Sequence, residues 1–149
     1  LPMVAKEVEQ IPHRLQKREA PGRPLVLDDA FNSNQTGFRN AVEVLSELAR
    51  ERGGRAILVT PGIAELGLEH DRVHAELAAS CNELCDLVFA VNPTRMPSFV
   101  SALDPKKLRI QEVSTLAEAR KLLAAEEDEK DVILYENDLP DLLEEKRLL

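Results

Sequence analysis

The chain has 149 residues, 44% of them hydrophobic, which is enough to bury one core and too little for two independent domains. Its 19 basic and 27 acidic residues leave a formal net charge of -8, which repels phosphate backbones and anionic lipid heads and argues against nucleic acid or a membrane surface as partner. Aromatic residues make up 3% and Trp is absent, so a stacking platform for single strands is excluded and the core must be aliphatic.

In chain order, Leu1 to Ile11 reads as a lead-in or linker, and Leu rather than Met at position 1 suggests that further chain precedes it. No apolar run approaches the roughly 20 residues needed to span a bilayer, and the start lacks a charged-then-apolar signal design. A first strand is expected at His13 to Arg18, between Pro12 and the turn at Pro21-Gly22. A second runs from Pro24 to Asp28 and enters an Asn-rich turn, after which a helical pattern opens near Gln35 with Phe38, Ala41, Val42, Leu45, Leu48 and Ala49 on one face. Gly53-Gly54 stops that helix. Strands follow at Ala56 to Thr60, Leu87 to Val91, Leu108 to Val113 and Asp131 to Tyr135, nearly continuous in hydrophobicity and so expected to be buried on both faces. Between them lie a helix carrying Val73, Leu77, Ala78, Cys81 and Leu84 and another, opened by Ser114-Thr115, carrying Leu116, Ala119, Leu122 and Leu123. The acidic run Glu126 to Glu129 is expected on a solvated helix end or loop, and Asp138-Leu139-Pro140-Asp141 opens a last helix. Alternating strands and helices joined by right-handed crossovers predict an α/β, Rossmann-like, mainly parallel sheet of about six strands with helices on both faces.

Neither G-x-x-x-x-G-K-[ST] nor G-x-G-x-x-G occurs, so the chain has no loop able to cradle phosphates through close backbone N–H groups. Asp28-Asp29 closes a strand just before a helix N-terminus, the place where an α/β sheet presents polar groups to ligands. Ionised carboxylates there can hold a cation, accept from ribose hydroxyls or act as a base, whereas the neighbouring asparagines equally suit turn building and helix capping. Cys81 and Cys85, four apart in a helical pattern, suit one helix face in a reducing, cytoplasmic setting. His70, His74 and Cys81 share a helical stripe and raise a zinc-site reading, but one straight helix cannot wrap three ligands around an ion. His74 reads better as a packing or hydrogen-bonding residue. No serine sits in a nucleophile elbow.

Taken together, Pro12-His13-Arg14-Leu15-Gln16, Leu27-Asp28-Asp29-Ala30-Phe31-Asn32-Ser33-Asn34, Glu65-Leu66-Gly67 and His74 resemble the C-terminal domain of the Mur ligases over residues 12–149. The likeness is strongest to the branch that adds D-alanyl-D-alanine to a UDP-linked muramoyl tripeptide, with D-D-A-F-N-S-N as its most specific element. The resemblance implies one domain of an ATP-dependent carboxylate-amine ligase of peptidoglycan-precursor synthesis, inactive alone and with no catalytic residue of its own. ATP, a UDP-linked muramoyl peptide and an amino acid or dipeptide are the implied ligands. A central domain in cis would supply the phosphate loop and Mg. By correspondence, Arg14 and Asp29 contact the ATP ribose, and Asn32 and Asn34 shape the nucleotide edge or cap the helix. Glu65 and Gly67, with Glu136, Asn137 and Asp138, fall on the substrate side. Two motifs depart from the family: Thr60-Pro61-Gly62-Ile63-Ala64 replaces a G-D-M strand end, and Tyr135-Glu136-Asn137-Asp138 replaces K-G-S. Acid in place of lysine opposes a substrate carboxylate and favours an amine. The competing reading is a non-catalytic α/β binding or interaction module on the same scaffold.

Overall fold

The computed structural model describes residues 15–29 and 34–136. Six strands, β1 (Gln16–Arg18), β2 (Leu25–Asp29), β3 (Ala56–Thr60), β4 (Leu87–Val91), β5 (Arg109–Val113) and β6 (Val132–Glu136), form one sheet in the order β1-β2-β6-β3-β4-β5. β1 runs antiparallel to β2, and every other pairing is parallel. Among the described residues four helices connect them: α1 (Gln35–Arg52), α2 (His70–Leu84), α3 (Pro97–Ala102) and α4 (Leu116–Glu126). This is the α/β architecture that the alternation predicts.

Successive side chains of a strand point to opposite faces, so a strand covered on both sides must be apolar at every position. β3 shows this directly: Ala56 and Leu58 join the core under α1, α2 and α3, while Ile57 and Val59 join the core under α4. Phe38, Val42 and Leu45 of α1 are fully buried, each worth about 1.5–3 kcal/mol of burial. That docking outweighs the weak helix propensity of Thr36 and Gly37. Asn34 caps α1 by accepting from the Gly37 N–H at 2.7 Å. Gly53 ends it at φ 73°, a conformation glycine adopts without strain, and donates its N–H to Arg50. At the start of α4 the Thr115 hydroxyl accepts from the Glu118 N–H, while the Glu118 carboxylate reaches back to accept from the Ser114 N–H.

Several expectations need correction. β2 and β6 each run one residue further than the hydrophobic pattern indicated, because the parallel ladder continues through the pair Asp29 and Glu136. β5 is an edge strand with Arg109 and Glu112 exposed, so it is not buried on both faces, and its charges deter pairing with a further strand. The short α3 and the 3-10 turns Gly67–Glu69 and Pro93–Arg95 were not anticipated. The acidic run is only partly a solvated one. The lead-in at Leu1 to Ile11, the start of the first strand at His13 and Arg14, and the helix expected from Asp138 lie outside the described residues.

At the amino edge of the sheet, the charges form one closed network. The Arg55 guanidinium reaches Asp131 at 2.8 Å and Glu126 at 3.0 Å, and Arg109 grips Glu126 with two bonds of 2.8 and 2.7 Å. Hydrogen bonds from Arg109 and then Arg55 hold the Glu126 carboxyl down at about 2. Burial pushes Asp131 upward, but side-chain and backbone bonds from Arg55 outweigh it and leave the group lowered.

Candidate functional site

β2, β6 and β3 end side by side at the carboxyl edge. Alternation from Leu27, Leu134 and Leu58, all in the core under α1 to α3, places the next residues of that parity, Asp29, Glu136 and Thr60, on that same face. Asp28 therefore belongs to the opposite face. There it pairs with Arg18 of β1 at 2.8 Å, with its side chain 4% exposed and thus withdrawn from solvent. The two consecutive aspartates have separate tasks: Asp28 ties the antiparallel edge strand to β2, while Asp29 stands in register with Glu136.

Glu136 is fully buried, and neither of its carboxyl oxygens finds a partner at hydrogen-bonding geometry. Burial first, then hydrogen-bonding contact with Asp29 and its charge, push the carboxyl up to about 12, so at neutral pH it is a carboxylic acid. Its backbone is held firmly. The Thr60 hydroxyl donates to the Glu136 carbonyl at 3.0 Å and accepts from the Gly62 N–H at 3.0 Å, linking the end of β6 to the turn after β3.

That turn is packed against α2. Gly62 has φ 85°, and a Cβ there would lie 2.7 Å from both His74 Nε2 and Met96 Sδ, so a side chain is excluded on two grounds. His74 Nε2 accepts from the Ile63 N–H at 3.0 Å, which leaves Nδ1 to donate to the His70 carbonyl at 2.8 Å. Burial lowers the His74 pKa despite the opposing bond to His70, and the neutral ring is the form able to accept from Ile63. Beyond this lock the chain turns outward through Glu65 at φ 61° and Gly67 at φ 60°, both exposed, to a fully exposed Leu68.

Of the residues singled out from sequence, the structure brings Asp29 and Glu136 together, with Asp29 itself only 3% exposed. Glu65 and Gly67 lie on the loop leaving the same edge. Glu136, expected on the substrate side, is instead sealed beneath that edge. Asn34 acts as a helix cap. Arg14, Asn32, Asn137 and Asp138 lie outside the described residues. Thr60 was not anticipated as part of the site; its signal was a hydroxyl ending an otherwise aliphatic strand. His74 is a hydrogen-bonding residue as expected, with both ring nitrogens engaged, and Cys81 is buried with its neighbour Cys85. The zinc reading finds no geometry: among the described residues no three His, Cys, Asp or Glu side chains gather closely enough to hold an ion. Among the same residues no helix is long and apolar enough to cross a membrane.

The fold of the chain recurs in solved ligases. MurF ligase from Thermotoga maritima in complex with ADP matches with a TM-score of 0.70 and 24% identity, over 93% of this chain and 30% of that one. MurF from Acinetobacter baumannii gives 0.64 and 24%, over 93% of this chain and 29% of that one. The bifunctional folylpolyglutamate synthase/dihydrofolate synthase from Yersinia pestis gives 0.57 and 14%, over 89% and 29%. The chain thus spans less than a third of the length of these enzymes, and at such identities the likeness is one of fold. No curated protein matches. A family model, described as the Mur ligase, glutamate ligase domain, matches residues 13–135. With the greater part of its length covered by that model, the chain belongs to the Mur ligase glutamate ligase domain family.

Proposed function

We propose that the chain is the C-terminal domain of a cytoplasmic, ATP-dependent amide ligase of peptidoglycan-precursor type, of the branch that adds D-alanyl-D-alanine to a UDP-linked muramoyl tripeptide. In this reading residues 1–11 lead in from a central domain and residues 12–149 close over its nucleotide. The observation that carries it is the position of Asp29: a carboxylate at the carboxyl end of a parallel strand, on the face opposite the paired Asp28. Ligands of open α/β sheets bind beyond such strand ends.

Asp29 accepts from the ribose hydroxyls, and Arg14 donates to them. Asn32 and Asn34 line the nucleotide edge, the latter also serving α1 as its cap. Glu65, Gly67, Asn137 and Asp138 face the incoming amino acid or dipeptide. The phosphates and Mg belong to the central domain, since this chain has no glycine-rich phosphate loop. ATP phosphorylates the carboxylate of the UDP-linked peptide, the acceptor amine attacks the acyl carbon, and ADP and phosphate depart. Closure of this domain aligns the amine and keeps water from the acyl phosphate. It supplies no covalent catalyst and is inactive alone.

The test is acceptor-dependent ADP formation by the intact protein. Asp29→Ala should raise the KM for ATP about tenfold, the loss of one charge-assisted hydrogen bond. An unchanged ATP dependence would remove the ribose role, and no ADP formation with any amino acid or dipeptide would remove the ligase reading in favour of a non-catalytic module.

A further inference from the structure

The loop that carries Glu65 and Gly67 leaves β3 and enters α2, and its course is fixed by groups outside it. Pro61 has no N–H to satisfy, Gly62 donates to the Thr60 hydroxyl, and the next amide, that of the buried Ile63, donates to His74 Nε2 at 3.0 Å. This last bond joins two residues 11 positions apart and closes a ring of chain over residues 63–74. Within that ring Leu66 packs against the core and accepts from the Glu69 N–H at 3.1 Å, while Glu65, Gly67 and Leu68 stand in solvent. The imidazole that holds the ring closed is itself immobile. It is fully buried, Nδ1 is tied to the His70 carbonyl at 2.8 Å, the His70 ring lies 4.2 Å away between centroids, and Phe99 of α3 meets it edge-on at 6.4 Å.

We propose that His74 is a positioning residue for the ligase: by accepting from the Ile63 N–H through Nε2 it sets where the loop of residues 65–67 stands, and so how tightly the incoming amino acid or dipeptide is held. The proposal rests on the substrate-side reading of that loop given above. Its requirement is a single tautomer, bare at Nε2 and protonated at Nδ1. A ring protonated on both nitrogens has no lone pair to offer, so a second proton would orphan a buried amide and release the loop. The titratable groups that bear on the ring are His70 and Asp71 of its own helix, whereas the turn after β3 brings Gly62 and Ile63 against it and the start of α3 brings Met96 and Phe99, none of which titrates. Desolvation outweighs the rest and keeps the ring neutral at pH values where an exposed histidine begins to charge.

Two measurements test it. In the 149-residue chain near about pH 7, the ring nitrogen resonances of His74 should show a proton on Nδ1 and none on Nε2, with a coupling across the hydrogen bond from Nε2 to the Ile63 amide. The opposite tautomer overturns the proposal. In the intact protein, His74→Phe keeps the ring and removes the lone pair, and should raise the KM for D-alanyl-D-alanine about tenfold with kcat and the KM for ATP within about twofold. His74→Gln, whose side-chain oxygen can accept from Ile63, should restore it. As pH falls through the His74 titration, which lies below the ordinary histidine range, the parent's KM for the dipeptide should climb more steeply than that of His74→Gln. A dipeptide KM in His74→Phe equal to the parent's, or equal losses in the Phe and Gln variants, overturns the positioning role. Gly67→Val separates this failure from that of the loop reading, because it strains the loop at a positive φ without touching the clamp: an unchanged dipeptide KM there overturns the substrate-side reading, whereas the His74 tautomer is read with no substrate present.

Discussion

The two edges of the sheet treat buried acids in opposite ways. At the amino edge, Asp131 is 2% exposed and fully compensated by Arg55, which also reaches Glu126 and through it Arg109. At the carboxyl edge, Glu136 is just as buried and has no cation beside it among the described residues, only another carboxylate. Charge is arranged for stability at one end and left unresolved at the other. Proteins keep such unresolved polar groups where a ligand or partner completes them.

The largest effect should come from breaking the closed edge. Arg55→Met leaves Asp131 buried and unpaired and is expected to cost about 3 kcal/mol in urea unfolding; a loss below about 1 kcal/mol would show the network to be ornamental. Next in size is the turn at the open edge. Gly62→Ala adds a Cβ into His74 and Met96 at an unfavourable φ and should cost about 2 kcal/mol.

The pH dependence sharpens the contrast, because the two edges limit stability from opposite sides. Glu126 and Asp131 are lowered in the fold, so their contribution is present above the ordinary value, 4.5 for Glu126, and is lost as pH falls toward about 2. Glu136 is raised, so its contribution is full below about 4.5 and declines as pH climbs toward about 12. Urea melts of Glu136→Gln should therefore lose part of the alkaline decline, which for one proton cannot exceed about 1.4 kcal/mol per pH unit. Melts of Arg55→Met should lose part of the acid decline instead. Parallel curves for both variants would dissolve the distinction between the edges. The smallest effect is expected at Asn34→Ala, about 1 kcal/mol from the lost cap, with α1 otherwise intact by circular dichroism.

Much of this contrast is a matter of register, and register is what the linear pattern conceals. The strands were legible because burial on both faces demands unbroken apolar runs, as in Ala56 to Val59 and Leu87 to Val91. Where that demand lapses, at Arg109 to Glu112 on the outer edge, hydrophobicity misjudged the environment. α3 escaped notice because six residues are too few to show a helical period. The site was half visible. Asp29 could be reached from its place at a strand's end, but its separation from Asp28 follows from the pleat, and its pairing with Glu136 depends on a strand that lies 107 positions away in sequence yet beside it in the sheet. The lock of Thr60, Gly62 and His74 is closer in sequence, spanning 2 and 11 positions, and only the Thr60 bond to the Glu136 carbonyl reaches across 76.

The division of labour between Asp28 and Asp29 makes the edge a question of odd and even. If β2 slid by one residue against β6, the aspartate now tied to Arg18 would come up on the ligand side and its neighbour would take the salt bridge, with no change in composition at all. Such a slip is opposed by Leu25 and Leu27, which would exchange faces with Val26 and leave the deeper core unfilled. Discrimination at this edge is thus enforced at a distance, by aliphatic residues that have no means of touching what the edge would bind. Mutations that coarsen their fit should blur which aspartate stands on the ligand side before they unfold the domain.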